Sequence, residues 1–484
     1  MSVINLNPQQ SETRRVGIRD LPDEILLKIF SHMSVSELVG TVQKVCSRWK
    51  VLSQAAQLWT DKVYRIGTWC RVGTCIGKSG NPDQEVIEIF RSAPNLRKVH
   101  IWRPITYSVL CTLYTNCHRL TELHLDGKQT LSSSELKNLV EQCPRIKSLR
   151  VPCEVMKSEE SVEALSGLQH LRVLCLGQHD SSIETPLVLR PLAYSCPELE
   201  EIDFMHTYIN VEDLKFFLYA KKNTLKTIGI RWTLAGNRCV LPVLASYAVS
   251  LECLRLYKFI VSTVPATEVE NFTALLRMKN LQELTMTAIE PFPGTVVLAF
   301  RDGGLQKLKV LDLQSSKNLY NESVIGFYRA CPVLRELNLS FVSMLSDDAF
   351  FEIYHLEHLE KLDVSYCRRL GGELIPRLTS LPHLHTLVMK GLDLSQLQPG
   401  LGSIVELSNL RCLTLNHSIV AGVPFDKFPG KLVRLRELNI KWCQGVPEDW
   451  KKLTEQMPQL KIDTEIAAEQ NVVPGSSGSA RDWQ

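Results

Sequence analysis

The chain of 484 residues lacks a large net charge and lacks any long apolar run, and each absence removes a class of function. Lysine and arginine number 55 against 52 aspartate and glutamate, a formal balance of +3. That balance leaves no electrostatic footprint for DNA, RNA or an acidic membrane surface. No segment reaches the roughly 18 apolar residues that a membrane span requires. The first residues, MSVINLNPQQSETRR, hold no apolar core of signal-peptide type. A Walker-type phosphate loop, a dinucleotide glycine fingerprint and a His-Glu-x-x-His helix are all missing. No motif therefore points to an enzyme, a cofactor or a metal centre. The fifteen cysteines are odd in number and scattered. Without a secretion signal, that pattern predicts reduced thiols in the cytoplasm or nucleus and not a disulfide frame. Cys70 and Cys75 have no second close pair to complete a zinc site. His355, His358, His383 and His385 flank repeat leucines, where solvated histidines are expected.

What the chain does have is a period. The pattern L-x-x-L-x-L, with other aliphatics and Phe or Met allowed, starts at fourteen places from Leu96 to Leu435. A partial copy follows at Leu460, and the mean step is 26 residues. That spacing lies within the range of leucine-rich repeats. In each copy the alternating leucines point to one face of a short strand, since side chains alternate across a strand. Helical spacing follows, as in Leu136, Leu139, Val140 and Cys143, or Leu214, Phe217 and Leu218. Pro144, Pro197 and Pro332, each after a cysteine, mark where those helices stop. One unit cannot cover its own apolar face, but stacked units bury a continuous core. Cys367 and Cys443 fall eight residues after the first leucine of their copies, the Asn/Cys position of the repeat. These features resemble the cysteine-containing type of leucine-rich repeat, although Ser316 and Val342 stand at that position elsewhere.

Residues 17–64 are different. Asp20 is expected to cap a helix near Pro22 carrying Ile25, Leu26, Ile29, Phe30 and Met33. Ser34 and Glu37 read as a capping box for a second helix with Leu38, Val39 and Val42. Val45, Cys46, Trp49 and Leu52 form a third segment, followed by Leu58 and Trp59. Three short helices this rich in apolar positions have apolar surface to spare, which suggests a partner. The alternative is a plain cap on the end of the repeat stack.

The run Leu21-Pro22-Asp23-Glu24-Ile25-Leu26, with Ile29-Phe30, Met33, Glu37-Leu38, Val45-Cys46-Ser47-Arg48-Trp49, Leu52 and Trp59, resembles an F-box. Joined to cysteine-type repeats, it is similar to the F-box/leucine-rich-repeat family. The resemblance implies an α/β chain: a three-helix F-box on a leucine-rich-repeat horseshoe. It implies a non-catalytic substrate receptor of a Skp–cullin–F-box ubiquitin ligase. The F-box would bind the Skp adaptor and, through it, the cullin and RING subunits, while the repeats hold a protein substrate. By motif match the adaptor contacts would fall among Leu21, Pro22, Ile25, Leu26, Ile29, Phe30, Leu38, Val45, Trp49 and Trp59. Some of these must instead fill the core of the three helices. A non-ligase binding scaffold or inhibitor is the rival reading.

The expected organisation is a tail at 1–16, the F-box at 17–64, a linker with a docking helix at 65–95, repeats at 96–463 and a flexible tail at 464–484. The third, fifth and seventh residues of each leucine pattern face the concave side, the usual binding face. They include Lys98, His100 and Trp102, then Glu122, His124 and Asp126, and later Arg231, Arg255 and Tyr257. Two clusters suggest substrate contacts. Arg231, Arg255 and Lys258, with Trp232 and Tyr257, would gather positive charge beside aromatics, a hot-spot composition suited to a substrate or phosphodegron contact. Phe341, Tyr366 and Trp442 form an aromatic group at the strand edge. The extra residues around 261–267, in the longest step, border the first cluster.

Overall fold

A computed structural model describes residues 17–67, 82–126, 131–177, 187–205, 207, 209–231, 233–234, 238–257, 273–287, 305–316, 319–446 and 450–464. The tails, Cys70, Cys75, Trp232, Lys258 and the 261–267 stretch lie outside them. Two compact units divide the chain, one of residues 1–183 and 188–199, the other of 184–187 and 200–484.

In the first unit the helices of residues 17–59 lead into five parallel strands: Val63–Ile66, Lys98–Ile101, Glu122–Leu125, Ser148–Pro152 and Val173–Gly177. In the second, eleven parallel strands run from Glu201–Asp203 to Lys461–Asp463, each paired with the next in chain order. Among the described residues these parallel strands, with helices or turns between them, are the leucine-rich-repeat fold that the period predicts. Within a strand the leucines alternate with half-exposed residues, so Leu123 and Leu125 are buried while Glu122 and His124 are not. Behind the strands, Leu136, Leu139, Val140 and Cys143 cover one face of the helix Ser133–Gln142. Its cap is Ser132, which accepts from the Glu135 N–H while Glu135 accepts in return.

Three expectations are adjusted. Asp20 does not cap the first long helix. That helix spans Asp23–Ser31 with Pro22 at its N-cap, and Asp20 instead accepts from the Gly17 N–H at 2.9 Å in a preceding 3-10 turn. The strand ladder begins at Val63, before the first leucine pattern, because Val63–Ile66 pairs in parallel with Lys98–Ile101. Residues 65–66 are thus sheet, and Pro82–Ser92 is the helix behind it, with Ile89 and Phe90 buried. After residue 345 several connectors are 3-10 turns, such as Asp347–Phe350 and Leu394–Leu397, in place of the longer helices of earlier repeats.

The cysteines close inter-repeat contacts. Cys367 Sγ donates to the Leu339 carbonyl at 3.1 Å and Cys443 Sγ to Leu415 at 3.0 Å. At the equivalent position Ser316 donates to Met286 at 3.1 Å and Ser418 to Met389 at 3.0 Å. Serine therefore meets the same demand, a buried carbonyl of the previous repeat that needs a donor. This is why the consensus tolerates it. Burial pushes the Cys117, Cys143 and Cys367 thiols up to about 12. The reactive thiolate is therefore scarce at neutral pH. Iodoacetamide at pH 7.5 should label exposed Cys46 in the folded chain and reach these three only after urea unfolding. Labelling of Cys143 at the rate of Cys46 would contradict this packing.

Candidate functional site

The first site is built by the N-terminal helices. Leu26, Phe30, Leu38 and Trp59 are almost fully buried and Trp49 nearly so. The Phe30 and Trp49 rings meet edge to face at 5.2 Å, and Trp59 Nε1 donates to the Ser53 carbonyl at 2.9 Å. These five fill the interior of the helical module. The Ser34–Glu37 capping box forms as the spacing predicts, with Glu37 accepting from the Ser34 N–H at 2.7 Å. Arg48 binds the Asp23 carboxylate at 2.5 Å and the Leu21 carbonyl at 2.7 Å, fixing the turn that carries Leu21 and Pro22. The other five positions lie toward solvent: Pro22, Ile25, Ile29 and Val45 are exposed and Leu21 is half-buried. Ile25 and Ile29 sit one turn apart on one helix face at 45% and 36% exposure. Ile18 and Val51 add further exposed apolar side chains. The structure thus separates an inner set from an outer one where the sequence leaves the ten together.

The second site belongs to six successive repeats of the second unit. At the residue leaving each strand, the backbone is left-handed: Ser315, Phe341, Tyr366, Gly391, His417 and Trp442 have φ between 54° and 64°. In three of these repeats an Asx turn precedes it, with Asp312, Asn338 and Asp363 each accepting from the N–H two residues on. The left-handed residue then donates its own N–H to the next repeat, as Phe341 does to Ser365 and Tyr366 to Lys390, both at 2.8 Å. Side chains at this position recur at the spacing of parallel strands, which is also the distance at which rings stack. Phe341 and Tyr366 accordingly stack at 4.3 Å and 13°, and His417 and Trp442 at 4.7 Å and 23°. Gly391 joins the two pairs. A Cβ there would meet the Tyr366 ring at 2.1 Å, so the ring lies directly over the glycine. Phe341 and Trp442 remain 47% and 45% exposed. Beside the row lies a cleft of about 410 Å³ lined by Arg368, Leu392, Asp393, His417 and Trp442 among others.

Within the basic cluster Arg255 is paired, while Trp232 and Lys258 lie outside the described residues. Arg255 Nη1 donates to Glu201 Oε1 at 2.6 Å, and Tyr257 Oη donates to Asp203 Oδ2 at 2.8 Å. Both acids come from the strand two places away, each two residues behind the level of its partner, since Glu201 is level with Cys253 and Asp203 with Arg255. Opposite charges this close leave little field for a distant phosphate. Arg231 is half-buried on the neighbouring strand.

The F-box-like family matches residues 18–65, the helical module and the start of the first strand. The chain carries an F-box-like domain followed by leucine-rich repeats. An F-box/LRR-repeat protein of Arabidopsis thaliana is 22% identical over 223 residues, 40% of this chain and 88% of that protein. The F-box only protein 6 of Rattus norvegicus is 38% identical over 52 residues, 11% of this chain and 18% of the rat protein. Among solved structures, a Leptospira interrogans LRR protein covers 78% of this chain and 91% of its own at 15% identity and a TM-score of 0.38. The yeast Rad7 and Elc1 complex offers a chain covering 91% and 92% at 14% identity and a TM-score of 0.41.

Within this F-box-like and leucine-rich-repeat chain, sequence reading passed over His417 and Gly391. The signal was present, since both stand seven residues after a first leucine, level with Phe341, Tyr366 and Trp442. Aligning the repeats on that column, instead of on the leucines, would have shown the row. Among the described residues, no helix is long and apolar enough to cross a membrane.

Proposed function

We propose that this chain is the substrate-recognition subunit of a Skp–cullin–F-box ubiquitin ligase. The F-box-like helices dock on the Skp adaptor, and the adaptor links them to cullin and RING subunits. The observation that carries the reading is the outer apolar set, Leu21, Pro22, Ile25, Ile29 and Val45, left toward solvent above a filled helical core. Monomer cores consume such residues, whereas interfaces display them in a contiguous patch.

The repeats hold the protein to be ubiquitinated, and the aromatic row from Phe341 to Trp442 with its cleft is the contact we favour. Exposed, stacked aromatics lose little conformational freedom on binding, which makes them effective anchors. Nothing in this role asks the chain to make or break a bond. It raises the effective concentration of a substrate lysine near the charged conjugating enzyme. The role places the chain in the cytoplasm or nucleus, where its thiols stay reduced.

Co-purification with the Skp adaptor tests the reading. The full chain should bring the adaptor through size exclusion, and a Leu21→Ala/Pro22→Ala variant should lose most of it with the thermal unfolding of the repeats unchanged. Equal recovery with both would favour a helical cap on a binding scaffold.

A further inference from the structure

On the first unit, two strands bring together three side chains that the proposed ligase role does not use. His100 lies on Lys98–Ile101, and Glu122 and His124 lie on Glu122–Leu125. All three point away from the buried leucines, because they occupy alternate positions of their strands. Register places His100 beside His124, and the imidazoles stack at 4.1 Å and 7°. His100 Nε2 lies 2.6 Å from Glu122 Oε1, and His124 Nε2 lies 3.7 Å from the same oxygen. One ligand atom from each residue falls within 4.8 Å of the other two.

We propose that His100, Glu122 and His124 form a binding site for a zinc-class divalent ion. Zinc holds nitrogen and carboxylate oxygen at about 2.0–2.2 Å, so tetrahedral neighbours stand roughly 3.4 Å apart. The separations of 2.6 and 3.7 Å bracket that value, and the near-parallel imidazoles tilt toward one another for both Nε2 lone pairs to meet at one ion. Two imidazoles and one carboxylate also form the donor set found with catalytic and regulatory zinc, with a fourth position left for water. Magnesium and calcium prefer sites made wholly of oxygen, so this donor set selects against them.

The surroundings agree. The side chains are 13%, 25% and 23% exposed, sheltered but reachable by an ion. Arg150, on the next strand, is engaged by Asp126 at 2.6 Å. On the same strand face, Asp126 Oδ2 is buried with no hydrogen-bond partner among the described residues. A buried carboxylate oxygen without a donor is the kind of group that orients ligands and water around a metal.

The test uses the full chain stripped with a chelator and titrated with Zn²⁺ by calorimetry and thermal shift. The wild type should bind one equivalent at these residues and melt at higher temperature with the ion. Glu122→Gln and His124→Gln should each weaken that equivalent by roughly tenfold or more, with metal-free melting unchanged. His358→Gln/His383→Gln, a stacked pair in the second unit, should leave it intact. Zinc binding equal in all variants, or none in the wild type, overturns the proposal. Should a variant fail to fold, X-ray absorption of the zinc-loaded wild type decides. Two imidazole nitrogens with oxygen support the site, and a sulfur shell assigns the ion to cysteine and overturns it.

Discussion

A chain carrying Ile25→Asp and Ile29→Lys should lose at least about a hundredfold in affinity for the Skp adaptor while melting like the wild type. The substitutions suit the helix they sit on. Ile25 is the third residue of Asp23–Ser31, where a carboxylate meets the positive end of the helix dipole, and Ile29 lies in its last turn, where a cation is welcome. An aspartate four residues before a lysine also forms a favourable pair of about 0.3 kcal/mol. Neither isoleucine is buried, so no cavity results. On the outer face, however, two charges replace two apolar anchors, and desolvating them against an apolar partner is strongly unfavourable. Trp59→Ala is the contrasting variant. It empties a fully buried site and removes the donor to the Ser53 carbonyl, costing about 3–5 kcal/mol. It should lose the adaptor by unfolding the helical module. Calorimetric melting and a pull-down on both variants separate the two causes. Wild-type adaptor affinity in the isoleucine double variant would remove the outer face from the proposed interface.

How much of this was legible in the sequence depends on whether one repeat or several must be read together. The alternation of Leu123 and Leu125 with Glu122 and His124 is a property of four consecutive residues, and it predicts the strand face directly. The Ser34–Glu37 box is likewise local. The outer and inner sets of the first helix were not separable, because Ile25, Leu26, Ile29 and Phe30 form one broad apolar stripe. Only the packing of Trp49 against Phe30 decides which half turns inward. The neutralised arginine was hidden for a different reason. Arg255 and Glu201 are 54 residues apart, two repeats, and a reading that compares only neighbours misses a partner that a long guanidinium reaches across an intervening strand. On the intervening strand, level with Arg255 and Asp203, stands Gly229, where a Cβ would meet Asp203 Oδ1 at 2.4 Å. A side chain there would push Asp203 aside from Tyr257. The strand Val63–Ile66 escaped because its Val-Tyr-Arg-Ile sequence lacks the leading leucine, and parallel pairing needs only backbone and alternation.

Gly400→Ala should be among the most destabilising single-methyl additions in the second unit, and Gly402→Ala, two residues on, should be harmless. Both glycines lie in the 3-10 segment Gly400–Glu406. A Cβ at Gly400 would stand 1.7 Å from the Gly372 carbonyl oxygen and 2.8 Å from Pro376 Cδ, while a Cβ at Gly402 meets nothing within 4 Å. The obstacle at Gly400 is the backbone of the preceding repeat, which no rotamer change can relieve. The contact is reciprocal, since a Cβ at Gly372 would stand 2.7 Å from the Gln398 carbonyl oxygen. Two repeats therefore approach backbone to backbone here, and a methyl group must wedge them apart. Overpacking of this kind costs about 3 kcal/mol or more, whereas Gly402→Ala should gain up to ~0.5 kcal/mol by restricting the unfolded chain. In a stack whose stability is a sum of neighbour contacts, the loss falls on one interface. The repeat concerned also supplies Gly391 and Leu392 to the aromatic row and its cleft, so the wedge should loosen that surface as well. Urea titrations followed by far-ultraviolet circular dichroism should show a lower midpoint and a shallower transition for Gly400→Ala alone. Equal midpoints for the two variants would mean that the repeats accommodate the methyl group by sliding, and that their close approach is not what holds the row in register.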